Sequence, residues 1–107
     1  MGGYVSLAFA EKFPEILESM TLFFSTTVAD DDEKKQIRKR SIAVIDENFE
    51  TFVKTSIPNL FSNNEKDILE GKIELAKNIA KSTNKEGVKA AQLGMAERPD
   101  RTEILEN

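Results

Sequence analysis

The apolar positions of this chain fall into two regimes. In residues 3–13, Tyr4, Leu7, Ala8, Phe9, Ala10 and Phe13 leave little polar surface between them. This pattern predicts a helix that stops at Pro14, because proline disfavours helical backbone at the residue before it. A helix so evenly apolar expects cover on more than one side. The run Met20-Thr21-Leu22-Phe23-Phe24-Ser25-Thr26-Thr27 is rich in aromatic and β-branched residues and predicts the chain's one strand. A lone strand leaves its backbone donors and acceptors unpaired, so it requires a partner strand.

From residue 30 onward the spacing is helical. Asp30 with Glu33 reads as a capping box. Ile37, Ser41, Val44, Ile45 and Asn48 trace one face of the helix that follows, and Lys34, Lys35, Arg38, Lys39 and Arg40 its solvated side. Phe49, Phe52, Val53, Ser56 and Leu60 predict a second helix, which Pro58 breaks into an irregular turn through Phe61. Ser62-Asn63-Asn64 punctuates the chain before the clearest helix, 64–82, striped by Ile68, Leu69, Ile73, Leu75, Ala76, Ile79 and Ala80. Thr83 with Glu86 predicts another capping box, opening a helix through Val88, Ala91, Met95 and Ala96. Arg98-Pro99-Asp100 ends it, and a last turn spans Thr102 to Leu105. Glu97, Arg98, Asp100 and Arg101 read as a local ion-pair cluster around that turn. The expected class is therefore mainly α.

Composition narrows the chemistry. The 107 residues contain no histidine and no cysteine, which removes the usual general base, the commonest metal ligand and any disulfide or thiolate. Lys and Arg number 15 against 19 Asp and Glu, a net charge of −4 that argues against a nucleic-acid partner. No apolar run approaches the roughly 20 residues of a membrane span. There is no signal-peptide pattern, and a cytoplasmic protein is the expectation. Asp30-Asp31-Asp32 matches no calcium loop, so neither metal nor cofactor is expected. Met1-Gly2-Gly3-Tyr4-Val5-Ser6 satisfies the short myristoylation consensus. The family resemblance described next gives Gly2 and Gly3 a more economical role, in close packing of a helix on a strand.

The opening residues carry a resemblance. Met1-Gly2-Gly3-Tyr4-Val5, followed by "SLAFAEKFPE" and "MTLFFST", resembles the α/β-hydrolase segment just after the nucleophile elbow, where a G-x-S-x-G turn carries the serine between strand and helix. The tail "GMAERPDRTEILEN" is similar to the segment that leads into the next core strand. The resemblance implies residues 1–28 as a core helix and strand, 29–98 as the helical cap over the active site, and 99–107 as the return to the core. It places the serine immediately before Met1, and the acid and histidine beyond Asn107. No catalytic side chain then lies within this chain, and the backbone of Met1 alone would contribute, as an oxyanion donor.

The same resemblance implies a small ester-like substrate with an apolar portion. Phe24 and Ser25, at the strand's end, become candidates for lining its pocket; Phe49 and Phe61, with Phe52, are candidates from the cap side. By itself the chain is expected to be catalytically inactive. The alternative is a non-catalytic helical module for self-association or protein interaction. In either setting residues 4–13 and 20–27 need cover, so the isolated chain is expected to be a homo-oligomer.

Overall fold

The computed structural model describes residues 1–106, and the architecture is mainly helical. Helix α1 spans Gly2–Lys12, α2 Asp32–Glu47, α3 Phe49–Ser56, α4 Glu70–Lys81 and α5 Lys85–Glu97. Short 3-10 turns occupy Pro14–Ile16, Ile57–Leu60, Asn63–Glu65 and Thr102–Glu106. Helix α2 packs along α5 and meets α3, which in turn packs on α4. Helix α1 stands apart from this group, against the turns at Pro14–Ile16 and Thr102–Glu106.

Proline sets the breaks where the sequence predicts them. Helix α1 ends at Lys12, before Pro14, and α3 passes into a tighter turn with Pro58 in its first positions. The caps differ from expectation. Asp31, not Asp30, caps α2, its carboxylate accepting from Lys34 N–H at 2.8 Å. Asn84, not Thr83, caps α5, accepting from the N–H groups of Glu86 and Gly87. Thr83 Oγ1 instead donates back to the Ile79 carbonyl at the end of α4. Helix α4 itself begins at Glu70 rather than residue 64, because Ser62 supplies no side-chain cap and 63–65 close as a 3-10 turn.

The core is thin. The apolar side chains buried outright are Leu7 and Ala10 of α1, Ile45 of α2, Val53 of α3, Ile73 of α4 and Ala96 of α5. Along α4 the inward line runs Ile73, Ala76, Ala80, continued by Leu69 just before the helix, while Leu75 and Ile79, with Ile68 before the helix, are exposed. Along α1, Leu7 and Ala10 face inward while Val5, Phe9 and Phe13 are exposed. The chain exposes 7863 Å², where a folded chain of this size typically exposes about 6,000 Å². Its radius of gyration of 16.1 Å likewise exceeds the roughly 13 Å of a compact 100-residue domain.

The expected strand at 20–27 does not form: the described residues contain no strand. Residues 20–27 run as irregular backbone that bends at Phe23 and Phe24, and the segment that adjoins their end, at Arg101, meets Thr27 through a single backbone hydrogen bond rather than a ladder. Phe23 and Phe24 project into solvent, Phe24 with 95% of its surface exposed. No described helix is long and apolar enough to cross a membrane.

Candidate functional site

Residues 27–30 and 98–102 lie side by side and close a neck below the helical part of the chain. The Arg101 N–H donates to the Thr27 carbonyl at 3.0 Å, and the Thr27 and Thr102 hydroxyls meet at 3.1 Å. The Ala29 N–H donates to Asp100 Oδ2 at 3.3 Å, and the other Asp100 oxygen accepts from the Thr102 N–H. Hydrogen bonding from Thr102 holds the Asp100 carboxyl below the usual carboxylate range. Arg98 completes the neck: Nη1 donates to the Val28 carbonyl and Nη2 to Asp30 Oδ1 at 2.8 Å.

Asp30 is the hub. Its second oxygen accepts from Arg38 Nε of α2, and its side chain keeps only 4% of its exposure. Arg38 hydrogen bonding, opposed by burial and reinforced by Arg98, holds the Asp30 carboxyl below its ordinary value. A buried carboxylate is tolerable when both its oxygens are satisfied by cations in this way. The Arg98 guanidinium also lies over the Tyr4 ring, 4.0 Å from its centroid, so the hub reaches α1.

These contacts revise two sequence expectations. Arg38 shares the face of Ile45, seven residues on, and belongs to the inward stripe rather than the solvated side of α2. Glu97, Arg98, Asp100 and Arg101 do not form the expected local cluster. Arg98 pairs with Asp30, and Arg101 reaches Glu11 of α1 at 3.0 Å. Sequence spacing signals only neighbours within an element, and these partners are about seventy or more residues away. The three acids at 30–32 have also separated, into hub, cap and first turn. Among the described residues no group of histidine, cysteine, aspartate or glutamate is arranged to hold a metal ion.

Beside the neck, Met1, Tyr4, Phe24, Ser25 and Thr26 line a cleft of about 360 Å³. The structure thus brings together Met1, Phe24 and Ser25, three of the residues singled out from sequence. Phe49 and Phe61 do not line this cleft. Phe49 stacks on Phe52 at 6.4 Å within α3, and Phe61 follows the Pro58 turn. Tyr4 and Thr26 were not candidates; only their closeness to Met1 in space marks them.

The glycines divide. A Cβ on Gly3 would fall 2.7 Å from the Ser25 Cβ and closer still to its Oγ, so only glycine admits this approach. Gly2 has open space around it, and Gly3 closely approaches the irregular segment at Ser25 rather than a strand, so the expected packing of helix on strand is not found at either glycine. Phe24 has φ 46°, in the left-handed region that a bulky residue occupies at a cost of about 1–2 kcal/mol. Its ring sits edge-on against Phe23, at 4.5 Å between centroids. Phe24→Asn should relieve part of the strain and raise Tm by about 2–6 °C in a thermal melt. A lower Tm would show that the Phe23 contact outweighs the backbone strain.

Comparison with models of known protein families finds no match, and neither does comparison with curated proteins.

Proposed function

We propose that these residues are the part of a serine α/β-hydrolase that runs from just past the nucleophile elbow through the helical cap, and that this part shapes the pocket for a small ester-like substrate. The observation carrying the reading is the neck. Thr27 to Asp30 and Arg98 to Thr102 adjoin, so the helical segment leaves and re-enters at one place. An insertion must do this to sit in a host fold without disrupting it. The surface in excess of a self-contained chain of this size, roughly 1,900 Å², leaves room for such a host.

In this reading residues 1–28 belong to the core, 29–98 are the cap and 99–107 return to the core. The cleft at Met1, Tyr4, Phe24, Ser25 and Thr26 then lies beside the serine's position, with the Met1 backbone as an oxyanion donor. Phe24, strained and exposed, presents an apolar ring at its mouth, where backbone strain is commonly stored for function. These 107 residues supply neither the histidine of the family's triad nor a thiolate, having no histidine or cysteine.

The decisive experiment reads the coding DNA upstream of the Met1 codon and expresses the longer product. An in-frame Gly-x-Ser and hydrolysis of p-nitrophenyl butyrate by that product, with none by the 107-residue chain, are expected. Turnover by the 107-residue chain, or an upstream frame without the serine, overturns the reading. The exposed apolar side chains Val5 and Phe9 of α1 with Phe13 just beyond it, and Leu75 and Ile79 of α4 with Ile68 just before it, favour a second reading, a helical self-association module. A defined dimer in sedimentation, together with no upstream serine, would select it.

A further inference from the structure

Helices α2 and α3 meet along a groove of about 310 Å³, at the small end of ligand pockets. Its floor is apolar: Ile37 and Val44 of α2, 52% and 38% exposed, with the half-buried ring of Phe52 of α3. Past Phe52 and Ser56 the groove continues for about 280 Å³ beside Lys34, Arg38 and Gln92. No acidic residue lines either part, although acids outnumber basic residues in the chain by 19 to 15.

Arg40 lines the first part, is exposed and forms no ion pair among the described residues. The nearest acids on its side of α2, Glu33 and Glu47, lie seven residues away in either direction, about 10 Å along the axis. Across the groove, Ser56 Oγ makes no hydrogen bond among the described residues. The Ser41 and Thr55 hydroxyls are engaged, donating to the Ile37 and Thr51 carbonyls of their own helices. An apolar floor beside one free guanidinium fits a ligand with one carboxylate and an alkyl chain. The guanidinium fork matches a carboxylate through two parallel hydrogen bonds. A phosphate dianion would keep an uncompensated charge against the apolar floor.

We infer that this groove binds a medium-chain carboxylate, with its carboxylate between Arg40 and the Ser56 hydroxyl and its alkyl chain over Ile37, Val44 and Phe52. The inference goes beyond the hydrolase reading and does not rest on it. The groove shares no residue with the cleft at Met1, Phe24 and Ser25.

The test is an NMR titration of the 107-residue chain with hexanoate, following the Ile37 and Val44 methyl resonances. Displacement that saturates by about 20 mM hexanoate is expected. 1-Hexanol, which keeps the chain without the charge, should bind at least about fivefold more weakly. Acetate, which keeps the charge without the chain, should not saturate. Arg40→Gln should weaken hexanoate binding about fivefold or more. Lys39→Gln removes a neighbouring cation that lines neither part of the groove, and should leave affinity within about twofold. Arg40 has no partner in the fold to lose, so an unchanged amide spectrum away from the groove is expected for Arg40→Gln. Resonances that do not saturate, hexanol binding as tight as hexanoate, or equal affinity in the Arg40→Gln protein each overturns the inference. So do shifts that follow protein concentration alone, since a second copy would then fill the groove. Tighter binding of acetyl-Leu-Glu-Leu-amide also overturns it, by assigning the groove to a protein partner. Failure of the longer protein to hydrolyse esters leaves the titration result standing, and failure of the titration leaves the esterase result standing.

Discussion

Asp30→Ala should destabilise the fold by about 3–5 kcal/mol, the usual consequence of removing one partner from a buried ion pair. Two guanidinium groups, those of Arg38 and Arg98, would lose their shared carboxylate at once. Arg98 has little route to solvent, with its side chain 7% exposed. The loss is a large share of the 5–15 kcal/mol that typically separates folded from unfolded states. Urea denaturation of the two proteins measures it directly. Asp30→Leu combined with Arg98→Met should be less damaging than Asp30→Leu alone, because only Arg38, the more exposed of the two guanidinium groups, is then left without its carboxylate. A cost below about 1 kcal/mol for Asp30→Ala would mean that the neck does not hold the helices together.

The same carboxylate gives acid sensitivity a defined sign. Its folded pKa is lowered, chiefly by the hydrogen bond from Arg38, so folding favours the ionised form. The stabilisation is complete above the unfolded value, near pH 4, and is lost as pH falls through the lower folded value. Asp46, Glu50 and Glu74 are also shifted down, through Lys89, Lys54 and Lys77 respectively. Their pairs lie at the surface, where ion pairs contribute little. Denaturation midpoints below pH 4 should therefore converge for the unsubstituted and Asp30→Ala proteins, and separate again toward neutrality. Curves that stay parallel through that range would place the acid response elsewhere.

The helices were legible because their signals are local. Pro14 and Pro58 act on the residues beside them, and the 69–73–76–80 spacing reports one face of one helix. The neck was not legible, because nothing in Asp30-Asp31-Asp32 distinguishes a cap from a buried hub. That distinction depends on Arg98, about seventy residues away. Residues 20–27 show the opposite failure. Aromatic and β-branched residues fit a pleated surface, but a strand exists only when another strand pairs with it. Phe24 and Ser25 were singled out as the end of a strand that does not form, so their place in the cleft comes from the irregular path of 20–27 and not from the reason given by the sequence. Tyr4 joined them only because α1 folds back to within reach of Ser25 at Gly3.

Ile45→Ala should cost about 2–5 kcal/mol, the range for deleting a large aliphatic side chain at a well-packed site. Ile45 has no exposed surface and sits on α2, the helix that packs along α5 and meets α3. In a thick core, neighbours can move in to close part of the cavity. Here the helices α2 to α5 bury outright one apolar side chain each, so little apolar material is available to collapse inward. The upper half of the range is therefore expected, with Tm lower by roughly 10–20 °C or more in a thermal melt. Ile45→Val, which keeps the branched carbon, should cost only about 0.5–1.5 kcal/mol. Ile79→Ala on the exposed line of α4 should stay within about 0.5 kcal/mol, because its side chain is already in water. If Ile79→Ala proves as costly as Ile45→Ala, the outer face of α4 is buried in solution. The most direct cause would be a second copy covering Ile68, Leu75 and Ile79, and the loss would then vanish at low protein concentration and grow as concentration rises.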